Sequence, residues 1–156
     1  MAEQSSIIRV AIAGDTEAVR EIVDAAYRFY IPRIGKPPGP MLDDYAKRIA
    51  DGQTWILEDD ARIVGILVLQ QTPTGLLLDN IAVQPGHQGK GHGRTLIEFA
   101  GAEALRRGCH EISLYTHALM HENIALYRRL SFVETHRISE KGYDRVYMTK
   151  PLTPHP

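Results

Sequence analysis

Residues 79–96 read D-N-I-A-V-Q-P-G-H-Q-G-K-G-H-G-R-T-L, and the order of residue types predicts strand, loop and helix in succession. Residues 76–83 are apolar except at Asp79 and Asn80, which predicts one strand with a local irregularity at those two positions. Gln84, Pro85 and Gly86 then end the strand, because proline has no amide hydrogen for a ladder and glycine permits a turn. Gly89, Gly91 and Gly93 alternate with Lys90 and His92, after which Leu96, Ile97, Ala100, Ala104 and Leu105 fall on one helical face. A glycine loop therefore opens directly into a helix.

That arrangement has a chemical use. Small residues let a ligand approach the backbone, and the unpaired amide hydrogens of a first helical turn attract phosphate. Lys90 and Arg94 add positive charge at the same end. The spacing G-x-x-x-x-G-K-[ST] of nucleotide P-loops is absent, and Gly89, Gly91 and Gly93 do not fit the dinucleotide pattern G-x-G-x-x-G. Gln88, Gly91 and Gly93 do fit Q-x-x-G-x-G, after a strand ending in Ile81, Ala82 and Val83. In this loop the chain resembles the GNAT N-acetyltransferase superfamily, whose signature is [QR]-x-x-G-x-[GA] and whose ligand is acetyl-CoA. The resemblance implies that Gln88, Gly89, Lys90, Gly91, His92, Gly93, Arg94 and Thr95 surround the pyrophosphate. It also implies that the backbone of Ile81, Ala82 and Val83 binds the pantetheine arm as an added strand.

A chain of 156 residues is expected to form one domain, spanning 1–156. With 44% hydrophobic and 24% charged residues it has a soluble globular composition, and a net charge of -1 argues against general nucleic-acid binding. No stretch has the apolar length of a membrane span, and the N-terminus lacks a secretory pattern. The single cysteine, Cys109, suits a reducing cytoplasm and is expected to be a small buried residue rather than a nucleophile.

In chain order, 7–12 reads as a strand, and Gly14 and Asp15 place an N-cap before a helix carrying Val19, Ile22, Val23, Ala26, Tyr27 and Tyr30 on one stripe. The segment 31–40 holds four prolines and two glycines, which excludes regular helix and central strand. It is either a rigid connector or the wall of a site, flanked by Tyr27, Tyr30, Arg33, Lys36, Asp43 and Asp44. Residues 41–50 predict a short helix, and 54–58 and 62–70 predict a hairpin whose second strand is buried on both faces. The helix after the glycine loop ends at Arg106, Arg107 and Gly108. A strand at 111–116, a helix at 122–130, strands at 132–138 and 143–148 and a frayed tail complete the order. That order resembles the GNAT fold of the α/β (α+β) class, a mixed central sheet of about six to seven strands with helices on both faces. In that fold the strands on either side of the glycine loop and its helix are parallel neighbours that splay apart.

Asn123 and Tyr127 are four apart and project from one helical face. The run from Asn123 to Phe132 resembles the family's N-x-A-x-x-x-Y-x-x-x-G-F region, with a shortened interval and Ser131 in place of the glycine. By that resemblance Asn123 binds the pantetheine arm, and Tyr127 sits near the thioester sulfur as general acid. An attacking amine is protonated at neutral pH, so a base is needed. Asp79 is the first candidate for that base, and Glu134 and Tyr115 are weaker ones. Tyr27, Tyr30, Arg33, Asp79 and Asn80 are candidate acceptor contacts, with Asp43 and Asp44 suited to a cationic amine and Arg33 and Lys36 to an anionic group. His87 and His92, like His117 and His121, lack the companions of a zinc motif, so a solvated or capping role and no metal are expected. The resemblance thus implies a cytoplasmic acetyl-CoA dependent N-acetyltransferase for a primary amine, with coenzyme A as product and neither nucleic acid nor membrane as partner. A homodimer is left open. The alternative is an acyl-CoA binding or regulatory module without turnover.

Overall fold

The computed structural model describes residues 6–153. Its sheet grows outward from β3 (Arg62–Thr72), where six successive residues from Val64 to Leu69 are buried, as an apolar run covered on both faces requires. β2 (Thr54–Asp59) pairs with it antiparallel, through a two-residue turn in which Asp60 and Ala61 take φ of 50° and 64°. β1 (Ser6–Val10) pairs with β2. β4 (Gly75–Val83) alternates strictly, burying Leu76, Leu78, Asn80 and Ala82. β4 runs continuously through Asp79 and Asn80, which turn to opposite faces, and its ladder with the strand Glu111–His117 ends immediately before them, at Leu78. With β5 (Glu111–His117), β6 (Val133–Glu140) and β7 (Tyr143–Pro151), the strand order is β1-β2-β3-β4-β5-β7-β6. β4 and β5 are parallel, and their ladder covers only Leu76 to Leu78 against Ile112 to Leu114, while β5 continues to His117.

The chain divides into two compact units. One holds the residues up to Leu69 with Asn80–Ile97, and the other holds Gln70–Asp79 with the residues from Glu98 on. In the first, α1 (Thr16–Tyr27) buries Val19, Ile22, Val23 and Tyr27. Asp15 precedes this helix as expected but makes no side-chain cap. Its carboxylate instead meets Arg9 at 2.9 Å and accepts from the Ile12 amide at 2.8 Å, while Arg9 also reaches Glu58 at 2.9 Å. One guanidinium thus ties β1 to the head of α1 and to β2.

The proline-rich segment is more ordered than its composition predicts. α2 (Tyr30–Ile34) runs through Pro32, which the first turn of a helix tolerates, and Gly35 ends it at φ 92°. Gly39–Leu42 forms a 3-10 turn, so α3 (Tyr45–Ala50) begins later than residue 41, at the point where Asp44 accepts a capping hydrogen bond from the Lys47 amide at 3.1 Å. α4 (His92–Arg106) packs its first turns on β3: a Cβ on Gly65 would lie 3.0 Å from Leu96 Cδ1.

In the second unit, α4 ends in a Schellman motif with Gly108 at φ 81°, its amide bonded to Leu105 O and that of Cys109 to Ala104 O. Arg106 and Arg107 turn to the buried carboxylate of Glu103 at 2.7 and 2.8 Å. α5 (His121–Arg129) buries Ile124 and Tyr127. β6 and β7 form a hairpin turning at Lys141 and Gly142, both at positive φ. The tail is less frayed than expected: Pro151 closes β7 and the Leu152 amide donates to His110 O at 2.8 Å, with 154–156 outside the described residues. Cys109 is half-buried rather than buried.

Candidate active site

The glycine loop is built as its sequence predicts. Pro85–His87 makes one 3-10 turn, Gly89 and Gly91 take φ of 81° and 82°, and α4 starts at His92. Nothing lies within 4 Å of a Cβ built on either glycine, so the conformation and not crowding demands glycine there. The Thr95 amide and Oγ1 both donate to Gly91 O, at 3.0 and 2.9 Å, which makes Gly91 the last residue before the helix. The amides of His92 and Gly93 then have no carbonyl in the preceding turn. No acidic residue occupies the first turn of α4, whereas Lys90, His92 and Arg94 crowd it with basic ones. The helix itself thus offers its positive end no negative charge; the nearest carboxylate is Asp59 of β2, 3.6 Å from His92 Nε2, and the remaining cations suit an anionic ligand. Gln88 Nε2 donates to Val83 O at 3.2 Å, fastening the loop to the end of β4.

Behind that strand end lies a buried polar chain. The Tyr27 hydroxyl is 2.7 Å from Asn80 Oδ1 and 2.9 Å from Ile81 O, Asn80 Nδ2 donates to Tyr45 Oη at 2.8 Å, and Tyr45 donates to Pro40 O. Tyr27, Asn80 and Tyr45 are all buried. These contacts pin β4 to α1 and to the proline-rich segment, a structural task, where the sequence suggested acceptor contacts for Tyr27 and Asn80. Tyr30 is likewise buried, with the Phe29 ring tilted against it at 4.0 Å and the Arg33 guanidinium 5.2 Å over its ring. Asp43 pairs with Arg48 at 3.0 Å and Asp44 caps α3, so both carboxylates already have structural work.

Asp79 belongs to a different cluster. Its Oδ1 accepts from the Tyr115 hydroxyl at 2.8 Å. Burial, and then the adjacent Asp79 charge, push the Tyr115 phenol well above its ordinary value, so it stays a proton donor. The Arg145 guanidinium lies 4.5 Å over the Tyr115 ring, Tyr147 packs on Tyr115 at 5.5 Å, and the Tyr147 hydroxyl donates to Glu140. That bond, with Arg145 beside it, holds the Glu140 carboxyl below the usual range. Sequence reasoning missed Arg145, Tyr147 and Glu140. Their signal is the period-two spacing of Tyr143, Arg145 and Tyr147, which share one face of β7 opposite Tyr115 and His117 of β5. Glu134 sits on the exposed edge strand β6, paired with Arg137 at 2.9 Å, as a surface ion pair.

On α5, Asn123 Nδ2 approaches Met120 Sδ at 3.6 Å, and Tyr127 is buried with its ring against Phe132 at 6.0 Å. The helix ends in a second Schellman motif: Phe132 donates to Tyr127 O and Ser131 to Arg128 O. Ser131 holds the left-handed position at φ 75°, the place where the resemblance expects glycine. The substitution is therefore absorbed as backbone strain in a turn, leaving the Tyr127 and Phe132 contact intact.

Comparison with known proteins places this geometry. The family model described as the acetyltransferase (GNAT) family matches residues 16–132. The chain is 30% identical over 132 residues to the streptothricin acetyltransferase of Streptomyces lavendulae, covering 82% of this chain and 69% of that protein. The ribosomal-protein-S18-alanine N-acetyltransferase of Escherichia coli superposes with a TM-score of 0.73 at 24% identity, covering 97% of this chain and 96% of that one. The PaiA N-acetyltransferase of Thermoplasma acidophilum, solved in complex with coenzyme A, superposes at 0.77 with 18% identity, covering 94% and 99%. A loop whose glycines stand at positive φ before a cationic helix start, on a seven-stranded mixed sheet with these relatives, leads to one conclusion: the chain belongs to the GNAT family and is a GNAT-type N-acetyltransferase.

Proposed function

We propose that this N-acetyltransferase, a single domain spanning 1–156, takes acetyl-CoA and passes the acetyl group to a primary amine of a small molecule or amino acid, releasing coenzyme A. The observation that carries the cofactor assignment is the start of α4, where a loop with Gly89 and Gly91 at positive φ leads into a helix whose first turn holds no acidic residue and is flanked by Lys90 and Arg94. Gln88, Gly89, Lys90, Gly91, His92, Gly93, Arg94 and Thr95 take the pyrophosphate in this reading, and the backbone of Ile81 to Val83 takes the pantetheine arm. Asn123 assists the arm, and the amide of Val83 polarises the thioester carbonyl.

The acetyl group moves by direct attack of the amine on the thioester carbon. A lysine-like amine lies about three pKa units above neutrality, a cost of about 4 kcal/mol to reach the free base. Asp79 takes that proton, positioned by the hydroxyl of Tyr115, and its charge suits an acceptor that arrives as a cation. The tetrahedral intermediate then expels the thiolate, with Tyr127 as proton donor. A relative named for streptothricin supports a small-molecule acceptor. The work proceeds in the cytoplasm, and among the described residues no helix is long and apolar enough to cross a membrane.

The test is thiol release from acetyl-CoA by the full chain across a panel of small amines and amino acids. Release that depends on one class of amine supports the reading. Tight acetyl-CoA binding with no release on any amine would favour an acyl-CoA binding module instead.

A further inference from the structure

His87 closes the turn before the glycine loop and His92 opens the helix after it, and no third metal ligand stands beside them in the sequence. The fold supplies one. Asp59, the last residue of β2, comes against both, so that one ligand atom from each of Asp59, His87 and His92 lies within 4.8 Å of the other two. His92 Nε2 is 3.6 Å from Asp59 Oδ2, with only 11% of the His92 side chain exposed. That distance is too long for a hydrogen bond.

The second observation concerns individual atoms. His87 Nδ1 and His92 Nε2 are both sealed from solvent and have no hydrogen-bond partner. Buried polar atoms are nearly always satisfied, so two orphaned imidazole nitrogens beside a carboxylate call for a shared partner. A neutral imidazole nitrogen and a carboxylate oxygen are both lone-pair donors, and one cation satisfies all three at once. A tetrahedral ion with bonds of about 2.0–2.1 Å sets its ligand atoms roughly 3.3 Å apart. The His92 and Asp59 pair already stands close to that spacing.

We propose that Asp59, His87 and His92 bind a divalent transition-metal ion of the zinc type, with solvent completing its shell. Two imidazoles and one carboxylate suit zinc and its first-row neighbours and do not suit magnesium or calcium, which take oxygen donors. The bound ion fastens the end of β2 to both margins of the glycine loop. The site shares His92 with the proposed pyrophosphate loop, but metal uptake by the three side chains needs no coenzyme, so its failure is distinguishable from failure of the acetyl-CoA reading.

The test uses the full chain, stripped with chelator and titrated at neutral pH with zinc, with cobalt(II) as spectroscopic probe and magnesium as control. One equivalent of zinc is expected to bind and raise Tm, cobalt to develop the visible bands of a low-coordinate nitrogen and oxygen site that zinc abolishes, and magnesium to do neither. Asp59→Asn and His87→Gln should each weaken zinc binding at least tenfold and remove the cobalt bands, with circular dichroism unchanged. If one variant folds poorly, the other and the wild-type cobalt spectrum still decide. No uptake by the stripped chain, uptake equal in wild type and both variants, or an equal response to magnesium would each overturn the proposal.

Discussion

At the scale of single residues, Asp79 and Tyr127 differ in what their loss should do. Asp79→Asn removes the proposed proton acceptor while keeping the shape and the contact with Tyr115, so kcat at neutral pH should fall about 100-fold or more. Part of that loss should return as pH rises toward the pKa of the amine, when free base needs no acceptor. Tyr127→Phe should be gentler, about tenfold or less, because a thiolate of pKa near 8.5 leaves without much help. Steady-state pH profiles of both variants, read for kcat and KM separately, check the contrast. Ser131 offers a prediction about stability alone. It holds φ 75° at the end of α5, where a side chain costs about 1 kcal/mol that glycine avoids. Ser131→Gly should therefore raise the unfolding free energy by a comparable amount without changing KM, measured by urea titration and initial rates.

At the scale of elements, the glycine loop and its helix were readable from the sequence because periodicity and punctuation agree there. Of the predicted stripe, Leu96, Ile97, Ala100 and Ala104 are buried and Leu105, at its end, is half-buried. The proline-rich segment was not readable, because first-turn tolerance of Pro32 and the cap at Asp44 depend on where each helix starts, which composition leaves open. Asp15 shows the same limit: its position before α1 signals a cap, but a distant arginine competes for the carboxylate and wins. That ion pair sets an acid limit on stability. Arg9 holds Asp15 below its ordinary value of 3.8, and Arg106 holds Glu103 below 4.5. A depressed folded-state pKa contributes stability above the unfolded value and loses it as pH falls through the folded one. Stability should therefore decline below about pH 4, and Asp15→Asn should flatten that decline while costing about 2 kcal/mol at neutral pH. Denaturant titrations between pH 2 and 7 test the sign. Where α4 meets β3 the tolerance is steric: Gly65→Val would press Leu96 and the Ala82 carbonyl and should cost about 1–3 kcal/mol, read as a lower Tm.

At the scale of the whole molecule, the seven-stranded order and the parallel pairing of β4 with β5 match the expected architecture. The acceptor contacts were the least readable part. Tyr27, Asn80, Asp43 and Asp44 look like ligand-binding groups in a list of residue types, and only tertiary structure reveals that other protein groups already occupy them. Conversely, Arg145, Tyr147 and Glu140 lie far along the chain from Asp79 and are joined to it through Tyr115 across the β5 and β7 pairing. The loop ahead of α4 remains the feature on which the functional account rests, and calorimetric titration of acetyl-CoA into the wild type and Gly91→Val tests it most directly. Gly91 stands at φ 82°, a conformation valine resists. The account predicts one binding site per chain in the wild type and at least tenfold weaker binding in a variant that stays folded by circular dichroism. An unchanged dissociation constant in that folded variant would contradict it.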